Sequence, residues 1–145
     1  MRTACLVFLF LVADVLPGPM AQGVEQHGIM PFAKVTFVQD EDVKCLSYAV
    51  ESGDPDQGAS TMILKAPPEC VVPWHFHTAR EELMVARGKV LTEMESAPSM
   101  TLEPGGFGAM RSGEKHRFTC TGKSECVVFV TFDRAYDIHW VREKK

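Results

Sequence analysis

The chain carries no basic run, no internal repeat and no low-complexity tract. Without a basic run there is no electrostatic footprint of a nucleic-acid binder, and the formal net charge of −4 mainly favours solubility. Helical periodicity is almost absent too, which turns the reading toward strands. No linker composition divides the sequence, so one mature domain is expected. What is present is ordinary globular material. Of 145 residues, 46% are hydrophobic and 23% charged. That is enough chain to bury a proper core without staples.

The N-terminus reads as a processing segment. Arg2 supplies a minimal positive region, "ACLVFLFLVA" (Ala4 to Ala13) an apolar run, and Pro17, Gly18 and Pro19 break it before the small residues Ala21 to Gly23. A membrane-spanning helix needs about 20 apolar residues, and Asp14 interrupts this run early. Residues 1–23 are therefore expected to be a signal peptide and 24–145 the mature domain, with the cut after Ala21 or Gly23 left open. The chain is expected to be exported, to the periplasm or the medium, with no stable membrane anchor; no cysteine stands where a lipid anchor would need one. Cleavage removes Arg2 and Asp14 together, which leaves the net charge unchanged. Cys5 leaves with the leader, and Cys45, Cys70, Cys120 and Cys126 remain. An even count in an oxidising compartment permits disulfides without requiring them.

Short runs rich in Val, Phe, Thr and Met alternate with turn residues. Strands are expected near Lys34–Val38, Lys44–Val50, Thr61–Lys65, Val71–His77, Glu82–Ala86 and Lys89–Met94, then near Phe107–Met110, His116–Cys120, Val127–Phe132 and Asp137–Val141. Turns are read at Ser52–Gly58, Arg87–Gly88, Ser96–Ser99, Glu103–Gly106, Arg111–Gly113 and Thr121–Glu125. Residues 24 to 33 read as a loose arm or an edge strand. Many short strands at this spacing imply an antiparallel sandwich or barrel.

One stretch carries chemistry: "WHFHTAREELMVARG", Trp74 to Gly88. On a strand His75 and His77 share a face, with Trp74 and Phe76 on the other. The same alternation sends Glu81, Leu83 and Val85 to one side. Glu82 fits a looser gap, but its parity points it away. Downstream, His116 opens another strand after a glycine turn, and Phe118 and Cys120 follow it inward. Three imidazoles and one carboxylate form a borderline ligand set that suits Zn, Fe, Mn or Ni and leaves open positions on an octahedral ion. Taken singly, each residue also has a plain structural reading, as a strand histidine, a solvated loop acid or a turn residue. Cys120 and Cys126 flank a five-residue hairpin loop, either as a cross-strand disulfide or as two buried thiols. His139 reads as structural.

Residues 70 to 120 resemble the two signature motifs of the cupin superfamily. The first motif runs glycine, five residues, His-x-His, three or four residues, Glu, six residues, Gly. This chain offers His75, His77, Glu81 and Gly88 in that spacing, with Glu69 in place of the first glycine. The second motif matches at Gly105, Gly113 and His116, with Arg111 for its proline and Cys120 for its asparagine. "YDIHWV" is similar to the close of small single-domain cupins of the anti-sigma-factor type. The resemblance implies an all-β antiparallel barrel or jelly roll (RmlC-like) that binds one divalent transition metal through His75, His77, Glu81 and His116.

Oxygenases, isomerases, decarboxylases and non-catalytic sensors share that fold, and fold does not choose among them. The inward positions Met62, Leu64, Val71, Leu83, Val85 and Phe118 suggest an apolar pocket. No second acid or base stands at a convincing position, and Arg80, Arg111 and Lys115 read as solvated loop charges. The expectation is a small metalloenzyme acting on an organic acid or similar metabolite. The alternative is a metal-dependent binding or sensing module without turnover. The partner is a small molecule rather than nucleic acid, and a homodimer is left open.

Overall fold

The computed structural model describes residues 28–142, so the expected signal peptide lies outside the described residues. Among the described residues eleven strands run in chain order: β1 (Val38–Gln39), β2 (Ser47–Gly53), β3 (Ser60–Ala66), β4 (Val71–Phe76), β5 (Glu81–Arg87), β6 (Lys89–Met94), β7 (Ala97–Leu102), β8 (Phe107–Met110), β9 (His116–Thr121), β10 (Cys126–Phe132) and β11 (His139–Trp140). They form two antiparallel sheets, β1-β2-β3-β10-β5-β8 and β11-β4-β9-β6-β7, packed face to face as a jelly roll.

Alternation builds the core. In β5, Glu81, Leu83 and Val85 are buried, while Met84 on the opposite face is 50% exposed. In β10, Val128, Val130 and Phe132 are buried from the facing positions. Each such side chain contributes about 1.5–3 kcal/mol on leaving water. Repeated over both inner faces, this holds the sheets together without the 3-10 turn at Phe32–Lys34, which buries nothing.

Four local expectations are corrected. Ser96–Ser99 is not a turn: the reversal sits at Glu95–Ser96, and Ala97–Leu102 pairs with β6 as an additional strand. Its residues are exposed up to the buried Leu102, so it had no apolar alternation to betray it. The expected strand at Lys34–Val38 shrinks to the edge pair Val38–Gln39, and residues 28–31 lead into the 3-10 turn at Phe32–Lys34 rather than forming an edge strand. Val71 is 41% exposed and Val72 faces the interior, because the β4–β9 register breaks between Val72 and His75 and reverses the parity there. Finally, Cys120 and Cys126 do not flank a hairpin. They lie in different sheets, on β9 and β10, and a disulfide joins them across the sandwich. A second disulfide links Cys45 to Cys70.

Gly88 marks the corner where the chain leaves β5 for β6 in the other sheet. Its φ is +81°, and a Cβ there would stand 2.7 Å from the Glu125 carbonyl oxygen and 2.9 Å from Cys126 Cα. Only glycine meets both demands.

Candidate metal centre

The two sheets bring His75, His77, Glu81 and His116 together. His75 and His116 are direct cross-strand partners on β4 and β9, and His77 follows one residue past the end of β4. Glu81 opens β5 in the opposite sheet, paired with Phe132 and Met110. The site therefore spans the interior, three imidazoles from one sheet facing a carboxylate from the other. All four residues are buried, between 1% and 4% exposed. One ligand atom from each lies within 4.8 Å of all the others. Glu81 Oε2 stands 3.1 Å from His116 Nε2 and 3.3 Å from His77 Nε2.

The backbone fixes how the rings point. Nδ1 of His75 meets the Pro73 carbonyl at 2.6 Å, and Nδ1 of His116 meets the Glu114 carbonyl at 2.7 Å. Nδ1 of His77 meets the Asp137 carbonyl. A carbonyl can only accept, so each Nδ1 carries the proton and donates it, and each Nε2 lone pair is turned toward the common centre. The sequence singled out these four residues but not the three carbonyls, since any residue supplies one.

Burial and neighbours set the charges. Burial, reinforced by the nearby His116, lowers the His75 pKa to about 4, so that imidazole is neutral near pH 7. Burial alone would raise the Glu81 carboxyl; contact with His116 and His77 outweighs it and lowers the pKa to about 2. His77 is raised, because Glu81 overcomes the opposing effect of burial. The result is a buried carboxylate whose only close polar neighbours are imidazoles of the same cluster, an arrangement that a shared cation would stabilise.

The hydrogen-bond geometry makes the same point. Glu81 Oε2 and His116 Nε2 are fully buried and neither has a hydrogen bond, although they face each other at 3.1 Å. They approach without the alignment of a donor and acceptor, as two groups aimed at a third point. Orphaned lone pairs of this kind, in a set of three imidazoles and one carboxylate, fit a divalent ion bound at about 2.0–2.2 Å. The cluster could hold one, and its donor set is of a kind that Zn, Fe, Mn and Ni accept.

Glu82, one residue on, turns outward and pairs with Arg80. His139 also lies outside the cluster, 3.0 Å from Asp137 and stacked on Phe76. Lys115 pairs with Glu95, and neither it, Arg80 nor Arg111 lines the interior cavity.

That cavity, of about 270 Å³, is bounded by His75, His77 and Glu81. Leu64, Val72, Phe118 and Phe132 form apolar walls. Loops close the mouth, and they bring in residues the sequence reading missed: Asp40, Asp42, Asp56 and Tyr136. The Tyr136 ring lies 5.2 Å from that of His77 and 5.0 Å from that of Phe132. Loop residues have no periodicity to disclose which way they face.

Residues 62–132 match the model of the Cupin domain family. Solved structures agree in fold. The polyketide cyclase RemF of Streptomyces resistomycificus is 17% identical, with a TM-score of 0.69 over 83% of this chain and 89% of that one. A sugar phosphate isomerase of the cupin superfamily from Silicibacter pomeroyi is 11% identical, with a TM-score of 0.66 over 80% and 83%. An RmlC-like cupin from Shewanella frigidimarina is 13% identical, with a TM-score of 0.63 over 76% and 92%. No curated protein sequence matches significantly.

Proposed function

We propose that this cupin-fold chain is an exported small metalloenzyme, in which one divalent transition-metal ion held by His75, His77, Glu81 and His116 acts on a small organic molecule in the cavity beside it. One observation carries the reading: His75, His77 and Glu81 bound the cavity directly, so an ion among them would be open to a ligand on that side. When bound, such an ion supplies a Lewis acid or, as iron, a site for dioxygen. The chain does the rest. The carbonyls of Pro73, Glu114 and Asp137 hold the imidazoles in register. Glu81 contributes the one charged ligand, and the apolar walls keep bulk water from the floor.

Export is supported by the apolar leader in residues 1–23 and by the two disulfides, which persist in oxidising compartments. N-terminal sequencing of the native protein is expected to start between Gln22 and Val24; a retained Met1 would contradict export through this leader.

A second reading, a binding module without turnover, is favoured by one feature. Apart from the candidate ligands, the acids of the lining are on the mouth loops, so the floor has no separate carboxylate to move a proton. Elemental analysis of native protein, followed by water-proton relaxation after manganese loading, separates the two. A labile metal-bound water supports the enzyme. A closed zinc site without exchangeable water supports the binding module, and absence of any metal contradicts both.

A further inference from the structure

We infer that the outer face of the six-stranded sheet binds a second copy of this chain, about a two-fold axis lying along an apolar row that crosses the strands. The row follows from the strand registers. Ala49 pairs with Ile63, Ile63 with Phe129, Phe129 with Met84, and Met84 with Phe107. One apolar side chain from each of β2, β3, β10, β5 and β8 therefore stands in line. None of them belongs to the core between the sheets. Phe129, Met84 and Phe107, on three neighbouring strands, are between 42% and 55% exposed. Single exposed apolar residues are ordinary, but large ones in register make a continuous patch of the kind that marks an interaction site.

The chain itself covers one side of this row. The rings of Phe32 and Phe37 pack 5.8 Å apart. The Lys65 ammonium lies 4.3 Å from the Phe37 ring, and the Arg87 guanidinium 5.5 Å from the Phe32 ring. Lys65 and Arg87 are the cross-strand neighbours of Val127, which is buried although it lies outside the core. The arm before β1 is thus a ridge along Lys65, Val127 and Arg87. The other side of the row is Thr61, Thr131 and Glu82, where Thr131 is exposed and Glu82 half-buried. What precedes the arm in sequence is poor cover for the rest. Residues 24–27 are Val, Glu, Gln and His, with one apolar side chain among them, and the run Ala4–Ala13 leaves with the proposed leader.

A second copy fits because the face is complementary to itself. Rotation about the row lays each side of one face on the opposite side of the other. Each ridge then rests on the side without one, and the Lys65 and Arg87 of each copy meet the Glu82 of its mate. A two-fold axis along the strands would instead set ridge against ridge and basic against basic. The side chains of Arg87 and Glu82 are 58% and 36% exposed, so both can reach outward. Five strands about 4.8 Å apart and three residue rows about 7 Å apart give a face about 20 Å square. With the two ridges added, the pair reaches the lower end of the roughly 1,200–2,000 Å² that stable interfaces bury in total.

Sedimentation equilibrium on the mature, exported protein tests this, after chelator stripping so that the candidate ion plays no part. A dimer is expected with Kd of about 10 μM or tighter. Met84→Glu should weaken it about tenfold or more, because it places a charge at the centre of the row. Phe107→Glu, in line with Met84 on β8, is the second probe of the row. Met100→Glu, at an exposed position on β7 of the other sheet, should leave the dimer unchanged. Circular dichroism checks that each variant is folded. Arg87→Glu and Glu82→Arg should each weaken the dimer about threefold or more, and the double variant should regain most of the loss, since the two-fold axis restores both contacts. A mature chain that stays monomeric at about 100 μM overturns the inference, whether the leader or some other partner then covers the face. A dimer indifferent to folded Met84→Glu and Phe107→Glu also overturns it, as does a double charge variant no tighter than either single one.

Discussion

At the floor of the cavity His75 and Glu81, with His116 beside His75, project from paired strands, and their positions follow from strand parity. At the mouth, Asp40, Asp42, Asp56 and Tyr136 come from loops held by local bonds. Asp40 Oδ1 accepts from the amides of Asp42 and Val43, and the Asp40 amide donates to the Leu46 carbonyl. The Cys45–Cys70 disulfide ties the same loop to the start of β4, and the Tyr136 amide donates to Pro55. The floor is rigid because two sheets over-determine it; the mouth is ordered by a few tethers. In the proposed reading the floor would hold the ion and the mouth would meet the ligand. Each region should accordingly be breakable without the other.

The largest effect is expected at the floor. The double variant His75→Ala, His77→Ala should lose stoichiometric metal while its circular dichroism and cooperative unfolding persist. The core of β5 and β10 does not depend on an ion, unlike a zinc finger. A folded double variant with full metal content would end the site assignment.

At the mouth, replacing Cys45 and Cys70 by Ser should cost about 3 kcal/mol in urea unfolding, as expected for a loop of this length. Metal content should be unaffected. A parallel loss of metal would show that the tether also holds the floor.

A smaller effect separates the two adjacent glutamates. Glu81→Gln should weaken metal binding by about tenfold or more, or about 1.4 kcal/mol, because it removes the only charged ligand. Glu82→Gln should change little, since its side chain turns outward to Arg80. Chelator competition on both variants checks the order, and a reversed order would mean that the register of β5 is shifted by one residue.

The smallest concerns Glu69, which stands where the first motif has glycine. Its φ is +67°, the left-handed conformation that glycine adopts freely and a side chain resists. Its amide still donates to the Cys120 carbonyl at 2.8 Å. Glu69→Gly should therefore stabilise the fold by about 0.5–1 kcal/mol, offset in part by the freedom glycine gains when unfolded. Equilibrium unfolding tests it, and destabilisation would show that the side chain has a role the backbone angle does not reveal.

The same contrast explains what the sequence could disclose. Period-two alternation located Glu81, Leu83 and Val85 on one face, and the spacing of His75, His77 and His116 singled out the four residues that converge. Parity failed where the ladder itself is irregular: the break between Val72 and His75 moved the inward position from Val71 to Val72. The strand at Ala97–Leu102 was missed because it is exposed almost throughout and begins in turn-like residues. Asp40, Asp42, Asp56 and Tyr136 were illegible for another reason. Their approach to the cavity depends on loop closure between distant segments, which no local pattern records. The Cys45–Cys70 pairing belongs to the same class, joining residues 25 apart.

The most direct measurement is an anomalous difference map from crystals of the metal-loaded protein, collected at the absorption edge of the ion. One peak is expected per chain, about 2.0–2.2 Å from Nε2 of His75, His77 and His116 and from a Glu81 carboxylate oxygen. No peak among these four residues in metal-loaded crystals, or a peak at another cluster, would contradict the assignment of the centre.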